Sequence, residues 1–298
     1  MAKLSDRILG ERVSGYVTKP NLLDNSNFQI HQRGTSFSSQ TSSQFLSDRW
    51  VVGMTGGVVT TSAINSNSFP DSDSRFEQLF RNQTGVGTIQ VQQKLAAIAK
   101  TFPSSGQLTL SFWARSGANA TTTVTPSISI LTDDGSSIIQ GVVEALTATP
   151  RLITWTFDAF DWKGANTSDS SYQNVRFTMG TDAADMILAD IKLEEGNVFT
   201  GYEPTPYAID EAECMKWLFV LDGGYPMFMI TSTTDSRRAQ VSHPKMYFLP
   251  AVTDITVSLG TPSVVTSYSG LAHTAISTNV GNTVSIARLD SATMSCEL

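Results

Sequence analysis

The stretch Ala189-Asp190-Ile191-Lys192-Leu193-Glu194-Glu195-Gly196, together with the run from Asn197 to Trp217, decides the fold. Its first eight residues read as a closing strand. Behind them Tyr202-Glu203-Pro204-Thr205-Pro206 is extended, because each proline pushes the preceding residue toward β or polyproline geometry. Asp210 then stands as an N-cap with Glu213 three residues on, a capping-box arrangement. Ala212, Met215, Leu218 and Phe219 share one apolar face at helical spacing, and Gly223-Gly224 ends the helix, which runs from Asp210 to Leu221 in this reading. A strand, a linker and a short helix thus divide two β units.

On the N-terminal side, from Asn21 to Gly196, short apolar or alternating runs are punctuated by Gly, Ser, Asn and Asp. The pattern predicts strands at Phe28–Gln32, Arg49–Met54, Val58–Ile64, Glu77–Asn82, Thr88–Leu95 and Leu108–Arg115. Further strands are predicted at Thr122–Leu131, Ile138–Val143, Leu152–Phe157, Val175–Met179 and Met186–Leu193. In Leu108, Leu110, Phe112 and Ala114 every second residue is apolar, which turns one strand face inward. Leu131-Thr132-Asp133-Asp134-Gly135 is a turn signal. Strands this short, without βαβ alternation, predict a sandwich or jelly roll.

On the C-terminal side Met227–Thr231, Ala239–Ser242, Thr253–Leu259, Val264–Tyr268, Thr274–Ser277 and Thr283–Ala287 read as a smaller antiparallel set. The predicted fold is all-β: a jelly-roll β-sandwich followed by a short helix and a smaller antiparallel β domain. Its predicted divisions are an N-terminal segment over 1–20, a jelly roll over 21–200, a linker and helix over 201–221, and a small β domain over 222–298.

Composition narrows the function. The chain has 298 residues, only 16% of them charged, with a formal net charge of −7. That acidity argues against a broad grip on nucleic acid or anionic lipid. No apolar run approaches the roughly 20 residues needed to cross a membrane as a helix, so no membrane insertion is expected. The start, Met1-Ala2-Lys3-Leu4-Ser5-Asp6-Arg7, lacks a signal peptide's apolar stretch and implies synthesis in a cytoplasm. Cys214 and Cys296 are too few for a disulfide framework and read as buried free thiols.

Catalytic patterns are weak. His31, His243 and His273 are the three histidines, and no Gly-x-Ser-x-Gly elbow accompanies them. The acid pairs Asp158 and Asp161, Asp182 and Asp185, and Glu194 and Glu195 could serve glycoside cleavage, but each equally suits a turn or strand end. Asp71-Ser72-Asp73-Ser74-Arg75 opens like a calcium loop yet has Phe76 and Asn82 where the glycine and final acid belong. Gly85-Val86-Gly87 lacks the lysine and helix of a phosphate loop and reads as a hairpin turn. No metal and no cofactor is expected.

Binding has better candidates. Trp50, Trp113 and Trp155 fall within strands, where core packing is the expected role. Trp162 instead follows Phe160-Asp161 in a polar stretch from Lys163 to Tyr172. Asp161, Trp162, Asn166 and Tyr172 are therefore the candidate ligand-binding residues, aromatic surface flanked by hydrogen-bonding side chains. Met215, Leu218 and Phe219 are the candidate oligomer contact.

Several of these stretches, in order, resemble a signature of bacteriophage tail fibre and related tail proteins. The junction carries Ile191-Lys192-Leu193-Glu194-Glu195-Gly196, Tyr202-Glu203-Pro204-Thr205-Pro206-Tyr207, then Glu211 and Cys214-Met215-Lys216-Trp217. Upstream stand Asn21-Leu22-Leu23-Asp24-Asn25-Ser26-Asn27-Phe28, His31-Gln32-Arg33-Gly34, Asp48-Arg49-Trp50 and Ser111-Phe112-Trp113-Ala114-Arg115; downstream stands Pro244-Lys245-Met246-Tyr247-Phe248-Leu249-Pro250. His31 replaces a frequent Trp, and Lys216-Trp217 the usual Arg and Tyr.

The resemblance, over roughly residues 21 to 260, implies a jelly roll like those of carbohydrate-binding modules in a homotrimeric tail appendage. It implies a virion location after assembly in the host cytoplasm, other tail proteins as partners through the N-terminal segment, and host cell-surface polysaccharide as the non-covalent ligand. It brings no catalytic residues. A purely structural tail adaptor and a glycan depolymerase are the alternatives.

Overall fold

In a computed structural model the described residues are 19–45, 47–64, 68–69, 77–84, 86–96, 105–117, 122–132, 135–159, 172–180 and 183–216. Beyond these, 218–229, 236–242, 251–258, 267–270, 273–279 and 287–295 are described as backbone. They form two compact units: one from Met1–Gln29, Thr35–Leu46 and Trp50–Thr205, the other from Ile30–Gly34, Ser47–Arg49 and Pro206–Leu298.

The first unit contains β1 (Ser36–Gln40), β2 (Gln44–Phe45), β3 (Val51–Thr55), β4 (Val59–Ile64), β5 (Glu77–Asn82), β6 (Thr88–Ala96) and β7 (Gln107–Ser116). It continues with β8 (Thr122–Thr132), β9 (Gly135–Gln140), β10 (Glu144–Leu146), β11 (Arg151–Asp158), β12 (Tyr172–Met179) and β13 (Asp185–Glu195). These make two antiparallel sheets, in the orders β1-β4-β5-β13-β7-β11 and β10-β8-β12-β6-β3-β2, with β9 beside β8. The predicted jelly-roll sandwich is the observed architecture.

Alternation supplies the core. Leu108, Leu110, Phe112 and Ala114 of β7 are buried, as their spacing predicts. Phe112 meets Phe177 of β12 edge-on at 4.8 Å between ring centroids. Trp50 is fully buried and packs on Phe28 at 5.1 Å. Its indole N–H donates to the Asn25 carbonyl at 2.9 Å, so the one polar atom on that ring is satisfied.

Residues 19–29 are stitched to β13. Asn21 accepts from the Leu193 amide at 3.0 Å and donates to the Ile191 carbonyl at 2.8 Å. The Leu22 and Ile191 amides donate to the Leu193 and Ser26 carbonyls at 2.8 and 3.0 Å. This stitching occupies a bulge in β13, whose pairing with β7 shifts between Ala189 and Lys192 and whose Asp190 has φ 47°.

Two strand expectations and one turn expectation need correction. Phe28–Gln32 is a loop: Phe28 sits at φ 55°, and the Gln32 amide donates to the Asp48 carboxylate at 3.0 Å, not to a strand. Ile138–Val143 is broken at Gly141. Ser127 pairs with Gln140 but Val124 with Glu144, a one-residue slip opposite Pro126, which has no N–H to offer the ladder. Gly85-Val86-Gly87 joins strands of different sheets and is no hairpin turn, since β5 pairs with β4 and β13 while β6 pairs with β3 and β12. Polar β1 and two-residue β2 lie at sheet edges that periodicity does not mark.

In the second unit the first helix or strand is α1 (Tyr207–Met215). Strands β14 (Leu218–Met229), β15 (Ser236–Ser242), β16 (Ala251–Ser258), β17 (Ser267–Gly270), β18 (His273–Asn279) and β19 (Ala287–Ser295) come after it. They form one antiparallel sheet, β16-β19-β14-β15-β18-β17. The helix is shorter than expected and starts earlier, with Pro206 at its N-cap, and Asp210, buried within an otherwise exposed first turn, is not its cap. Leu218 and Phe219 belong to β14, so they share no helical face with Met215. Gly223-Gly224 falls within that strand, where pairing with β19 shifts between Asp222 and Tyr225. The glycines accommodate a bulge; they do not end a helix. The last strand starts at Ala287, where the expected one ends.

Candidate functional site

Strands β6, β8 and β12 place one set of side chains inward and the other on the outer face of their sheet. Ile89, Val91 and Leu95 face the core with Val175, Phe177 and Met179. Period-two alternation sends Gln90, Gln92 and Lys94 outward with Tyr172, Asn174, Arg176 and Thr178. Register then brings residues far apart in sequence into rows. Asn174 stands between Lys94 and Ser129, and Arg176 between Gln92 and Ser127.

These side chains interact across the rows. Gln92 Oε1 accepts from Asn174 Nδ2 at 2.8 Å and from Arg176 Nε at 3.3 Å. The Lys94 ammonium lies 4.5 Å from the centre of the Tyr172 ring, a cation–π distance. Burial, with the Arg176 charge adding to it, holds the Lys94 pKa below the usual lysine value of 10.5. Asn174 is 1% exposed, and its Oδ1 accepts no hydrogen bond. The arrangement combines an aromatic ring, two cations, amide donors and an unsatisfied acceptor. It can bind a polar, hydroxyl-rich molecule non-covalently.

Of the four ligand-binding candidates, Tyr172 opens β12 and is half-buried on this face. Asp161, Trp162 and Asn166 lie outside the described residues. Lys94, Gln92, Asn174 and Arg176 are not singled out by sequence. Their signal is the polar alternation of Gln90-x-Gln92-x-Lys94 and Tyr172-x-Asn174-x-Arg176, visible in the chain but meaningful only once the strands are paired.

The other strand tryptophans are packing residues. Trp155 is partly buried against the core. Trp113 is on the other sheet's outer face, 5.9 Å from Phe69 in a small separate cluster, and so lies outside the main core.

The acid pairs do not converge where they are described. Asp185 is held by Arg81 through two bonds of 2.7 and 2.8 Å. Glu194 is buried and Glu195 exposed, as neighbours on a strand must face opposite sides. The Asp158 carboxylate accepts from Gln107 Nε2 at 3.3 Å, while Asp161 and Asp182 fall outside the described residues. Among the described residues no cluster of three or more His, Cys, Asp or Glu could hold a metal, and no helix is long and apolar enough to cross a membrane. Asp71 and Asp73 are outside that set, as are His243 and Cys296; Cys214 is buried and in no disulfide.

No protein-family profile and no curated protein matches the sequence. Solved structures do resemble the fold distantly. The enzymatically active domain of tailspike protein 4 from bacteriophage CBA120 aligns with a TM-score of 0.41 at 16% identity, over 59% of this chain and 21% of that one. The CBM22-1 and GH10 modules of Clostridium thermocellum endo-1,4-beta-D-xylanase 10B, complexed with xylohexaose, give 0.40 at 11% identity over 62% and 29%. TmCBM61 in complex with beta-1,4-galactotriose gives 0.37 at 13% identity, over 59% and 99%. The chain thus spans under a third of the tailspike and xylanase structures.

Proposed function

We propose that the outer face of the β10-β8-β12-β6-β3-β2 sheet binds glycan non-covalently. One observation carries the reading: register sets Tyr172, Asn174 and Arg176 of β12 beside Lys94 and Gln92 of β6. Sugars offer hydroxyls that donate and accept, and apolar ring faces that stack on aromatics. The Gln92 and Arg176 N–H groups donate to sugar oxygens, and Asn174 Oδ1 takes a hydroxyl once the groups covering it move aside. The Lys94 ammonium covers the Tyr172 ring in the free protein, so a stacking sugar displaces it along its flexible stem. From Tyr172 to Arg176 the face extends about 14 Å along β12 at roughly 3.4 Å per residue, a span suited to an oligosaccharide.

In the wider setting we infer a non-enzymatic phage tail protein. The colinear motifs from Asn21 to Pro250 support this, with residues 1–20 as the virion-anchoring segment and a homotrimer whose avidity multiplies weak contacts. Isothermal titration of the full chain with oligosaccharides tests the binding face. Tyr172→Ala should weaken any binding seen, and unchanged affinity in that variant would exclude this face.

A second reading, a structural adaptor, is favoured by a different feature. Ile138, Val142 and Val143 are exposed by 49%, 72% and 60% along the β9–β10 edge. An uncovered aliphatic edge suits packing on another protein.

A further inference from the structure

We infer that the glycan taken by this face is anionic, with an oxyanion on the sugar chain, carboxylate or phosphate, received by the Arg176 guanidinium. The inference rests on the glycan-binding reading and specifies its ligand.

Charge is the first support. The chain carries a net −7, yet the strands of this sheet contain only Lys94, Arg176 and Glu144 as charged residues. Glu144 is already engaged by Arg151 of β11 at 2.5 Å. Lys94 and Arg176, both cations, are thus the charged residues that these strands place on the outer face. A neutral glycan needs no such pair.

Geometry is the second. Nε of Arg176 donates to Gln92 Oε1, which anchors one corner of the guanidinium. Among the described residues no carboxylate pairs with Arg176, so its two terminal nitrogens remain as a planar fork. A fork of that kind matches the two oxygens of a carboxylate or phosphate and holds them bidentately. Elsewhere in this unit the comparable arginines are spent internally: Arg81 on Asp185, Arg115 on Glu77 and Arg151 on Glu144.

The third support is the orphan acceptor next to it. Gln92 Oε1 is shared by Asn174 and Arg176, which leaves Asn174 Oδ1 covered and without a donor. It lies one row from Arg176, and a hydroxyl on the same sugar chain completes it once the groups covering it move aside. A uronic acid or sugar phosphate supplies both groups, an oxyanion and a hydroxyl donor, in one molecule.

The experiment is isothermal titration of the full chain with tetragalacturonate, neutral galactotetraose and galactose 6-phosphate. Wild type, Arg176→Gln and Arg176→Lys are each run at low and at high salt. The expected result is tetragalacturonate binding at least tenfold tighter than galactotetraose, weakened by salt. The difference should vanish in Arg176→Gln and return in part in Arg176→Lys. Binding of galactose 6-phosphate alone, with the same loss in Arg176→Gln, supports the inference with phosphate as the oxyanion. Equal binding of acidic and neutral tetrasaccharides, or acidic binding untouched by Arg176→Gln, overturns the anionic inference and leaves the glycan-binding reading standing. Failure of all three probes overturns both.

Discussion

Lys192 and Glu194 form an ion pair 3.1 Å apart, buried side by side on the outer face of β13. The ammonium also donates to Thr200 Oγ1 at 2.8 Å and to the Gly201 carbonyl at 2.7 Å. Glu194 accepts from the Thr200 amide at 2.9 Å and from its hydroxyl. The pair thus fastens the segment that leaves β13 back onto that strand. Removing one partner strands a buried charge, so Lys192→Met should cost about 3–5 kcal/mol in urea unfolding. The double variant Lys192→Met/Glu194→Leu should recover much of that loss. A single variant as stable as wild type would show that the pair holds nothing.

Asn21 makes three hydrogen bonds, to Leu193, Ile191 and Leu23, and so bridges the bulge from the opposite side. Asn21→Ala should lower unfolding free energy by about 1–3 kcal/mol, because the bulge amide and carbonyl lose their partners. Hydrogen exchange at the Leu193 amide should quicken in the same variant. Unchanged protection there would show that Asn21 is dispensable.

Gly87 sits at φ 80°, and a Cβ there would run into the Thr55 carbonyl oxygen. This backbone approach lies where the chain crosses from one sheet to the other. Gly87→Ala should therefore destabilise by about 1–3 kcal/mol or more, measured by thermal or urea unfolding. Unchanged stability would show that the Thr55 carbonyl can move aside at little cost.

Lys94 has its folded pKa lowered, first by burial and then by Arg176. A lysine that binds its proton less tightly when folded destabilises the protein while charged. That cost is fully present below the folded pKa and disappears as pH rises toward 10.5. Lys94→Met should therefore raise the melting temperature relative to wild type at neutral pH, with the advantage shrinking toward pH 10.5. An advantage independent of pH would assign the effect to packing.

Much of the fold was legible because burial imposes period two. Leu108 to Ala114 announced β7 outright, and Glu77–Asn82 was placed to the residue. The failures have physical causes. Leu218 and Phe219 extend an apolar helical spacing from Met215, yet that spacing also fits a strand, and pairing with β19 settles the choice. Phe28 looked like a strand residue, but its buried ring is carried by a left-handed loop. The candidate site was half legible. Tyr172 could be named from its neighbourhood, whereas Lys94 and Arg176 meet only through strand register across some eighty residues of chain.

Tyr172 and Arg176 are proposed to bind glycan from the outer face of the sheet. The most direct test is a glycan array probed with the full chain and with the Tyr172→Ala/Arg176→Gln double variant, both confirmed folded. The native chain should bind a defined set of glycans, and the variant should lose that set. Identical binding by the two proteins, or no binding by the native chain, would contradict that role of Tyr172 and Arg176.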